Sequence, residues 1–234
     1  MEEVPQEAQE PQVNINHVCS LGSICQASSI IKNNNLKLES YPFDWIFSRP
    51  DNVAHILNDN FKLFLDKESY IPHGCEPHCR KSGHSYYGKF MFGHHDPRRK
   101  EEDYKYYERC VWRFRQLLSS PNPKLFIMIF ANKNAKDIEA FQTSALKVNE
   151  ELKKNTTHFN LLAIFQIQDT YRKHEFITTD TLDFCILYTR SKSTGTGFAS
   201  HEDDKYLNTI IKKKYAFTIK RLKSINECVK DETM

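Results

Sequence analysis

Apolar and polar positions form alternating blocks along the second half of the chain. Continuous apolar runs predict three strands that are covered on both faces, at residues 125–130, 161–167 and 184–188. Apolar positions at helical spacing predict two helices, at residues 137–152 and 203–214, and a last strand is expected near residues 216–219. Strands and helices in this order predict an α/β (α+β) fold, with a central mixed, mainly parallel sheet flanked by helices.

The first half of the chain is less regular. Residues 15–19 alternate like a short strand, and a helix is predicted to follow Ser23. Between residues 70 and 83 the chain is rich in His, Cys, Pro and Gly, which is typical of a loop. The other elements predicted in this half are helices at residues 50–57 and 102–118 and a strand at residues 86–92.

The length of 234 residues suits one α/β domain with a sizeable core. We expect residues 1–13 to form a disordered leader, residues 14–225 a single domain and residues 226–234 a C-terminal tail. The net charge of +3 comes from 33 basic and 30 acidic residues, which are interleaved and do not indicate nucleic-acid binding. No apolar run approaches the ~20 residues of a membrane span. Seven scattered cysteines without an export signal indicate reduced thiols and a cytoplasmic location.

Residues 20–27 are the first candidate for chemistry. Gly22 allows a sharp turn after the predicted strand, and Ser23 is a good N-cap for the following helix. Cys25 would then lie in the first helical turn, where free N–H groups and the macrodipole favour a nucleophilic thiolate. Backbone N–H groups near Gln26 would form an oxyanion site. The alternative is a small buried residue where a helix packs on a sheet.

A nucleophilic cysteine needs a base, and His94 and His95 are the candidates because they end a predicted strand. Their side chains point to opposite faces if the strand continues through them. Phe90 and Phe92 lie at two-residue steps from His94, so His94 points inward if these phenylalanines line the core. This parity favours His94 as the base. The alternative is a surface turn with solvated imidazoles.

Three side chains could orient the imidazole, as the third group of a catalytic triad does. Asp44 lies among large aromatic residues, Asp96 follows the two histidines, and Asn132 comes just after a predicted buried strand. Asp44 could equally be a buried hydrogen-bond anchor. The sequence leaves the choice among the three open.

A second cluster of possible ligands lies in the predicted loop at residues 70–83. Its histidines and cysteines, which could bind zinc, are His73, Cys75, His78 and Cys79, with His84 following. A structural zinc site usually takes paired ligands from two separated segments, and no second cysteine pair exists. We therefore expect a polar loop with incidental thiols, with no metal and no cofactor.

Three segments occur in an order that resembles a known family. They are Ser-Leu-Gly-Ser-Ile-Cys at residues 20–25, Tyr-Pro-Phe-Asp-Trp-Ile at residues 41–46 and Phe-Gly-His-His-Asp at residues 92–96. Over residues 15–190 the chain resembles a family of papain-like cysteine peptidases of unknown function, with members in bacteria and large DNA viruses. The resemblance implies a papain-like α/β fold, Cys25 as nucleophile and His94 as base. It assigns no third residue.

The leading hypothesis is a cytoplasmic cysteine hydrolase or acyl-transfer enzyme that acts on an amide, isopeptide or related acyl bond. Cys25 would attack a carbonyl carbon, and His94 would act as base and then as acid. We expect a protein or peptide substrate, and neither nucleic acid nor a membrane as partner. The alternatives are an inactive papain-like fold that serves as a protein-binding module, and a zinc-stabilised interaction module.

Overall fold

The computed structural model describes residues 13–73 and 81–221. The predicted tail, nearly all of the predicted leader and most of the possible zinc loop lie outside these ranges. The described helices are α1 (Gln26–Asn33), α2 (Pro50–Asn58), α3 (Glu101–Ser119), α4 (Ile138–Asn155) and α5 (His201–Lys214). The described strands are β1 (Val13–Ile15), β2 (His17–Ser20), β3 (Tyr70–Pro72), β4 (Ser82–His84), β5 (Gly88–Phe92), β6 (Lys124–Phe130), β7 (Phe159–Gln168), β8 (Lys173–Thr178), β9 (Leu182–Thr189) and β10 (Tyr215–Phe217).

A five-stranded sheet with the order β2-β6-β7-β9-β8 forms the centre of the protein. Neighbouring strands are parallel except β8, which runs antiparallel to β9. This confirms the predicted α/β fold with a mixed, mainly parallel sheet. The sequence did not reveal β8, because this edge strand is largely exposed and has no apolar alternation.

Helices cover both faces of the central sheet. Strand β6 shows why, since all seven of its residues are buried and its side chains alternate between two apolar clusters. One cluster holds Phe126 and Met128 with the buried faces of α2, α3 and α4. The other holds Leu125 and Ile127 with those of α1 and α5. None of the helices in the described ranges is long and apolar enough to cross a membrane.

A small antiparallel sheet with the order β3-β4-β5 lies beside the central one. The prediction of a loop throughout residues 70–83 is therefore wrong at both ends, where Tyr70 pairs with His84 and Pro72 with Ser82. Local composition indicated a loop, whereas the pairing joins residues that are distant in sequence. This small sheet matters for the site because β5 leads directly to His94.

The two ends of the described chain are joined. Strands β1 and β10 pair in parallel, with Val13 opposite Tyr215. Beyond the pair, the amide of Asn16 donates a hydrogen bond of 2.8 Å to the carbonyl of Thr218. The segment that leads into β2 is thus fixed by residues about 200 positions later.

Candidate active site

Cys25 lies at the carboxyl end of the edge strand β2, where the chain turns into α1. The N–H of Leu21 still donates to the carbonyl of Ile127, at 2.9 Å, so the strand direction continues one residue past β2. Helix α1 then begins at Gln26, with Cys25 itself at the N-cap position. The prediction of Ser23 as N-cap is wrong, and no side chain caps this helix. The thiol is therefore carried by the residue that starts the helix.

Gly22 makes the turn before Cys25 possible. Its φ of +85° lies in the region that favours glycine, and a Cβ atom there would overlap the Oγ of Ser48. The Ser48 N–H also donates to the carbonyl of Ser23, at 3.1 Å. The backbone just before Cys25 is thus held against Ser48 with no room for a side chain.

We expect Gly22→Ala to destabilise the protein more than Gly195→Ala does. Gly195 also has a positive φ, of +96°, but a Cβ there would meet nothing within 4 Å. Gly195→Ala should therefore cost only the conformational term, ~1 kcal/mol. Gly22→Ala adds the overlap with Ser48 and should cost ~3 kcal/mol. Urea unfolding of both variants measures the difference, and equal losses would show that Ser48 moves aside freely.

The central feature of the site is the contact between Cys25 and His94. The Sγ of Cys25 lies 3.4 Å from the Nε2 of His94, within hydrogen-bond reach for a sulfur donor. Only 6% of Cys25 is exposed, whereas His94 lies on the surface just beyond β5. The ring of Trp45 meets the imidazole edge-on, with 6.0 Å between ring centroids. The two residues are thus arranged for proton transfer from sulfur to nitrogen.

Both members of this pair are neutral near pH 7. Burial raises the pKa of the Cys25 thiol above 9.0, and the residue's own backbone N–H offsets this only in part. Burial also lowers the pKa of His94 below 6.5, and the neighbouring Lys81 and His95 add to this effect electrostatically. The expectation that the helix start lowers the Cys25 pKa is therefore wrong, because loss of hydration outweighs it. The resting pair is a thiol and a neutral imidazole.

If Cys25 and His94 catalyse a reaction, their neutral resting state predicts a wide pH range of activity. Protonation of His94 removes the base, so kcat/KM should fall only below its pKa, in mildly acidic solution below pH 6.5. Above pH 9.0 Cys25 loses its proton, so none remains for His94 to pass to a leaving group, and on the alkaline side kcat/KM should fall only there. Alkylation of Cys25 by iodoacetamide should accordingly rise steadily towards alkaline pH. A thiolate–imidazolium pair would instead give rapid alkylation down to about pH 5, and that result would contradict the neutral pair.

None of the three candidate orienting groups contacts His94 in the described part of the chain. Asp44 is buried and accepts hydrogen bonds from the Lys37 ammonium and from the Tyr41 N–H, the latter at 2.8 Å. Burial raises the pKa of Asp44 even beside Lys37. Asp44 therefore acts as the buried anchor that the sequence left open.

Asp96 and Asn132 are also engaged elsewhere. The hydroxyl of Ser82 donates to the buried carboxylate of Asp96. The amide of Asn132 donates to the carbonyl of Ser193, at 3.0 Å, and accepts from its N–H, at 2.9 Å. The structure thus shows a Cys–His pair without a third polar partner among the residues it describes.

His95 points away from Cys25. Its Nδ1 lies 3.0 Å from the carboxylate of Asp103, and its ring stacks on Tyr106 with 4.3 Å between centroids. Phe90 is 56% exposed, whereas Phe92 is fully buried. The condition that both phenylalanines line the core is therefore not met. Strand β5 ends at Phe92, so strand parity does not determine where the following histidines point.

Gln26 has its side chain turned away from solvent. It is fully buried, and its Oε1 accepts a hydrogen bond of 2.5 Å from the hydroxyl of Ser193. Ser193 in turn is held by Asn132 at the end of β6. Residues just after β6, after β9 and at the start of α1 are thus joined at one edge of the sheet. The Nε2 of Gln26 is buried without a hydrogen-bond partner among the described residues, and the oxyanion site expected near Gln26 stays a prediction.

Trp45 is a site residue that sequence reasoning passed over. Trp45 directly follows Asp44 in the sequence, and only the Asp44 carboxylate was interpreted as a possible functional group. In the structure Trp45 contacts His94, while the Lys37 ammonium lies 5.2 Å from the centre of the indole ring. Trp45 therefore supports the imidazole on one side. The sequence feature that could have indicated Trp45 is its place in the Tyr-Pro-Phe-Asp-Trp-Ile segment, one of the three that carry the family resemblance.

The fold and the Cys–His contact agree with the comparison to known families. A family model described as "Putative papain-like cysteine peptidase" matches residues 16–169, more than half of the chain. This protein therefore belongs to that family and has its papain-like α/β fold. No curated protein and no solved structure matches the chain. Within the described ranges, no group of three His, Cys, Asp or Glu side chains is placed to hold a metal ion.

Proposed function

We propose that this protein is a cysteine hydrolase that cleaves an amide or isopeptide bond in a protein or peptide. The observation that carries the proposal is the 3.4 Å contact between Cys25 Sγ and His94 Nε2 at the start of a helix. The four described cysteines are all free thiols, which suits a reducing compartment such as the cytoplasm. The proposed mechanism requires neither metal nor cofactor.

The first half of the reaction forms a thioester. His94 Nε2 accepts the proton of the Cys25 thiol as the sulfur attacks the carbonyl carbon of the substrate. The carbonyl oxygen becomes an oxyanion, and the C–N bond then breaks. The departing nitrogen takes the proton from His94 and leaves as an amine. The acyl group remains on Cys25.

The second half releases the acid. A water molecule attacks the thioester carbonyl while His94 accepts one of its protons. The C–S bond breaks, the sulfur recovers a proton from His94, and a carboxylic acid leaves. If an amine attacked instead of water, the same residues would transfer the acyl group. The Cys25–His94 pair would serve water and an amine equally as acceptors of the acyl group.

The oxyanion formed in both halves needs hydrogen-bond donors. The first N–H groups of a helix have no partner within the helix, and the positive end of the helix dipole lies there. The backbone N–H groups of Cys25 and Gln26 occupy this position at the start of α1. We assign the oxyanion site to them, because such preorganised donors stabilise the developing charge.

The test of this proposal is detection of the thioester. The purified protein would be mixed with pools of peptidyl aminomethylcoumarins, a ubiquitin-like aminomethylcoumarin conjugate and glutamine-containing peptides. Acid-quenched samples would then be analysed by intact mass spectrometry. We expect an acyl adduct on Cys25 with release of amine or ammonia. A reactive Cys25 that forms no adduct with any pool would favour the protein-binding module instead.

A further inference from the structure

A cleft of about 590 Å³ opens beside the residues that immediately precede Cys25. Ser23 and Ile24, which precede Cys25 in the chain, line the cleft together with β5 and the turn before it. A volume of this order is typical of sites that bind small molecules or side chains. The cleft is therefore large enough to hold part of a substrate whose carbonyl reaches Cys25.

Three large aromatic side chains that line the cleft are open to solvent. Phe47 is 47% exposed, Tyr86 is 61% exposed and Phe90 is 56% exposed. Exposed apolar groups scattered singly are ordinary, but a group of them around one concave surface indicates a binding site. Aromatic rings also lose little conformational entropy when a ligand packs on them. The cleft thus fits a large apolar or aromatic side chain.

The aromatic walls are held in place by the surrounding structure. The amide of Asn52 donates to the carbonyl of Tyr87, at 2.8 Å, and the ring of His55 packs on Tyr86 with 4.8 Å between centroids. On the other side, the N–H of Phe47 donates to the carbonyl of Met91, at 2.9 Å. Helix α2 and strand β5 therefore fix the cleft before any ligand binds, which favours affinity.

The charged residues of the cleft are both basic. They are Arg49 and Lys89, both exposed, and neither forms an ion pair with another described residue. No Asp or Glu is among the lining residues. A ligand with a carboxylate would meet complementary charge here, whereas a basic ligand would be repelled. The cleft thus combines apolar walls with a positive rim.

The position of the cleft indicates which part of the substrate it holds. Its lining includes the residues before Cys25 but not His94 or Trp45. The departing amine must lie on the side of His94, since this residue protonates it. The acyl part therefore extends away from His94, along Ser23 and Ile24 into the cleft.

We propose that the cleft binds the acyl side of the substrate, as an extended peptide segment in which an aromatic residue is next to an acidic one. The aromatic side chain packs among Phe47, Tyr86 and Phe90, and the carboxylate faces Arg49 and Lys89. This assignment rests on the proposed function, because it uses the carbonyl at Cys25 as its reference point.

The test uses peptidyl vinyl sulfones, whose vinyl carbon forms a bond with the Cys25 sulfur. The peptides carry Phe and Glu in either order before a C-terminal Gly, with matched probes in which Ala replaces Phe or Lys replaces Glu. Labelling rates are measured by intact mass and divided by the iodoacetamide rate of the same variant. We expect the Phe probe to react ~10-fold faster than the Ala probe, and the Glu probe ~10-fold faster than the Lys probe.

Variants locate the two preferences. Phe90→Ser should reduce the Phe preference at least ~3-fold, and the double variant R49Q/K89Q should remove the Glu preference. Arg49 stands at the N-cap of α2 without a side-chain capping bond, so its replacement removes no capping hydrogen bond. Tyr171→Ser and Lys62→Gln, exposed residues outside the cleft, are the matched controls and should leave both preferences unchanged.

The outcomes separate this inference from the proposed function. Equal rates for all probes, with Cys25 still labelled by iodoacetamide, would overturn the cleft assignment and leave the hydrolase standing. If Cys25 reacts with neither reagent, the hydrolase fails, and fluorescein-labelled forms of the same peptides test the cleft by fluorescence polarisation. Selective binding of the Phe–Glu peptide would support the cleft as a peptide site, and absence of binding would overturn it.

Discussion

Replacing Cys25 with alanine is expected to abolish amine release from every amide substrate while leaving the protein folded. The Sγ atom forms the bond to the acyl carbon, so no other described group can take its place beside His94. The side chain is small and its removal leaves only a modest cavity, which should cost ~1 kcal/mol. Turnover of the best substrate and the melting temperature, measured on the same preparation, check both parts.

Cys110→Ala is the matched control for this experiment. Cys110 is fully buried in α3, and burial raises its pKa to about 11, so its thiol is not available for reaction at neutral pH. We expect this variant to lose a similar amount of stability and to keep its turnover. Turnover that survives in Cys25→Ala but not in Cys110→Ala would contradict the assignment of the nucleophile.

His94→Ala is expected to lower the rate of acylation by ~10³-fold or more, since general base catalysis typically contributes 10²–10⁴-fold. His95→Ala should lower it far less, because His95 contacts Asp103 and Tyr106 rather than Cys25. Single-turnover kinetics with excess enzyme measure acylation directly. The residual rate of His94→Ala should also lose the acidic limb of the pH profile, which a merely structural effect would leave in place.

The opposite result for the two histidines would contradict the assignment of His94 as the base. An inactive His95→Ala together with a His94→Ala near wild type would show that the observed Cys25–His94 contact is not the catalytic one. Melting temperatures guard against a simpler explanation, because loss of the Asp103 contact is expected to cost His95→Ala ~1 kcal/mol of stability.

The elements of the central sheet were predictable because burial on both faces leaves a clear pattern. The runs that became β6, β7 and β9 are continuous apolar segments, and α4 between β6 and β7 and α5 after β9 have apolar stripes. The small sheet was not predictable in the same way. Its strands β3 and β4 are three residues each and contain Pro, Gly and His, so only pairing across the chain defines them.

The site was partly predictable for similar reasons. Residues 20–27 indicated a thiol at a helix start, and the structure places Cys25 there beside His94. The charge state of that thiol was not predictable, because burial decides it and the sequence pattern does not measure burial. Asp44 was ambiguous for another reason. Its partner Lys37 is an unremarkable lysine in the sequence, and only the fold brings the two together.

The order of the strands also has a consequence for how this protein can be cut into fragments. The family match ends at residue 169, but β9 lies between β7 and β8 in the sheet, and Ser193 holds the Gln26 side chain. A fragment ending at residue 169 would leave one whole edge of β7 unpaired and would uncover the apolar residues that α5 protects. We expect such a fragment to aggregate when expressed alone. Recombinant work on this protein should therefore retain the chain to at least β10.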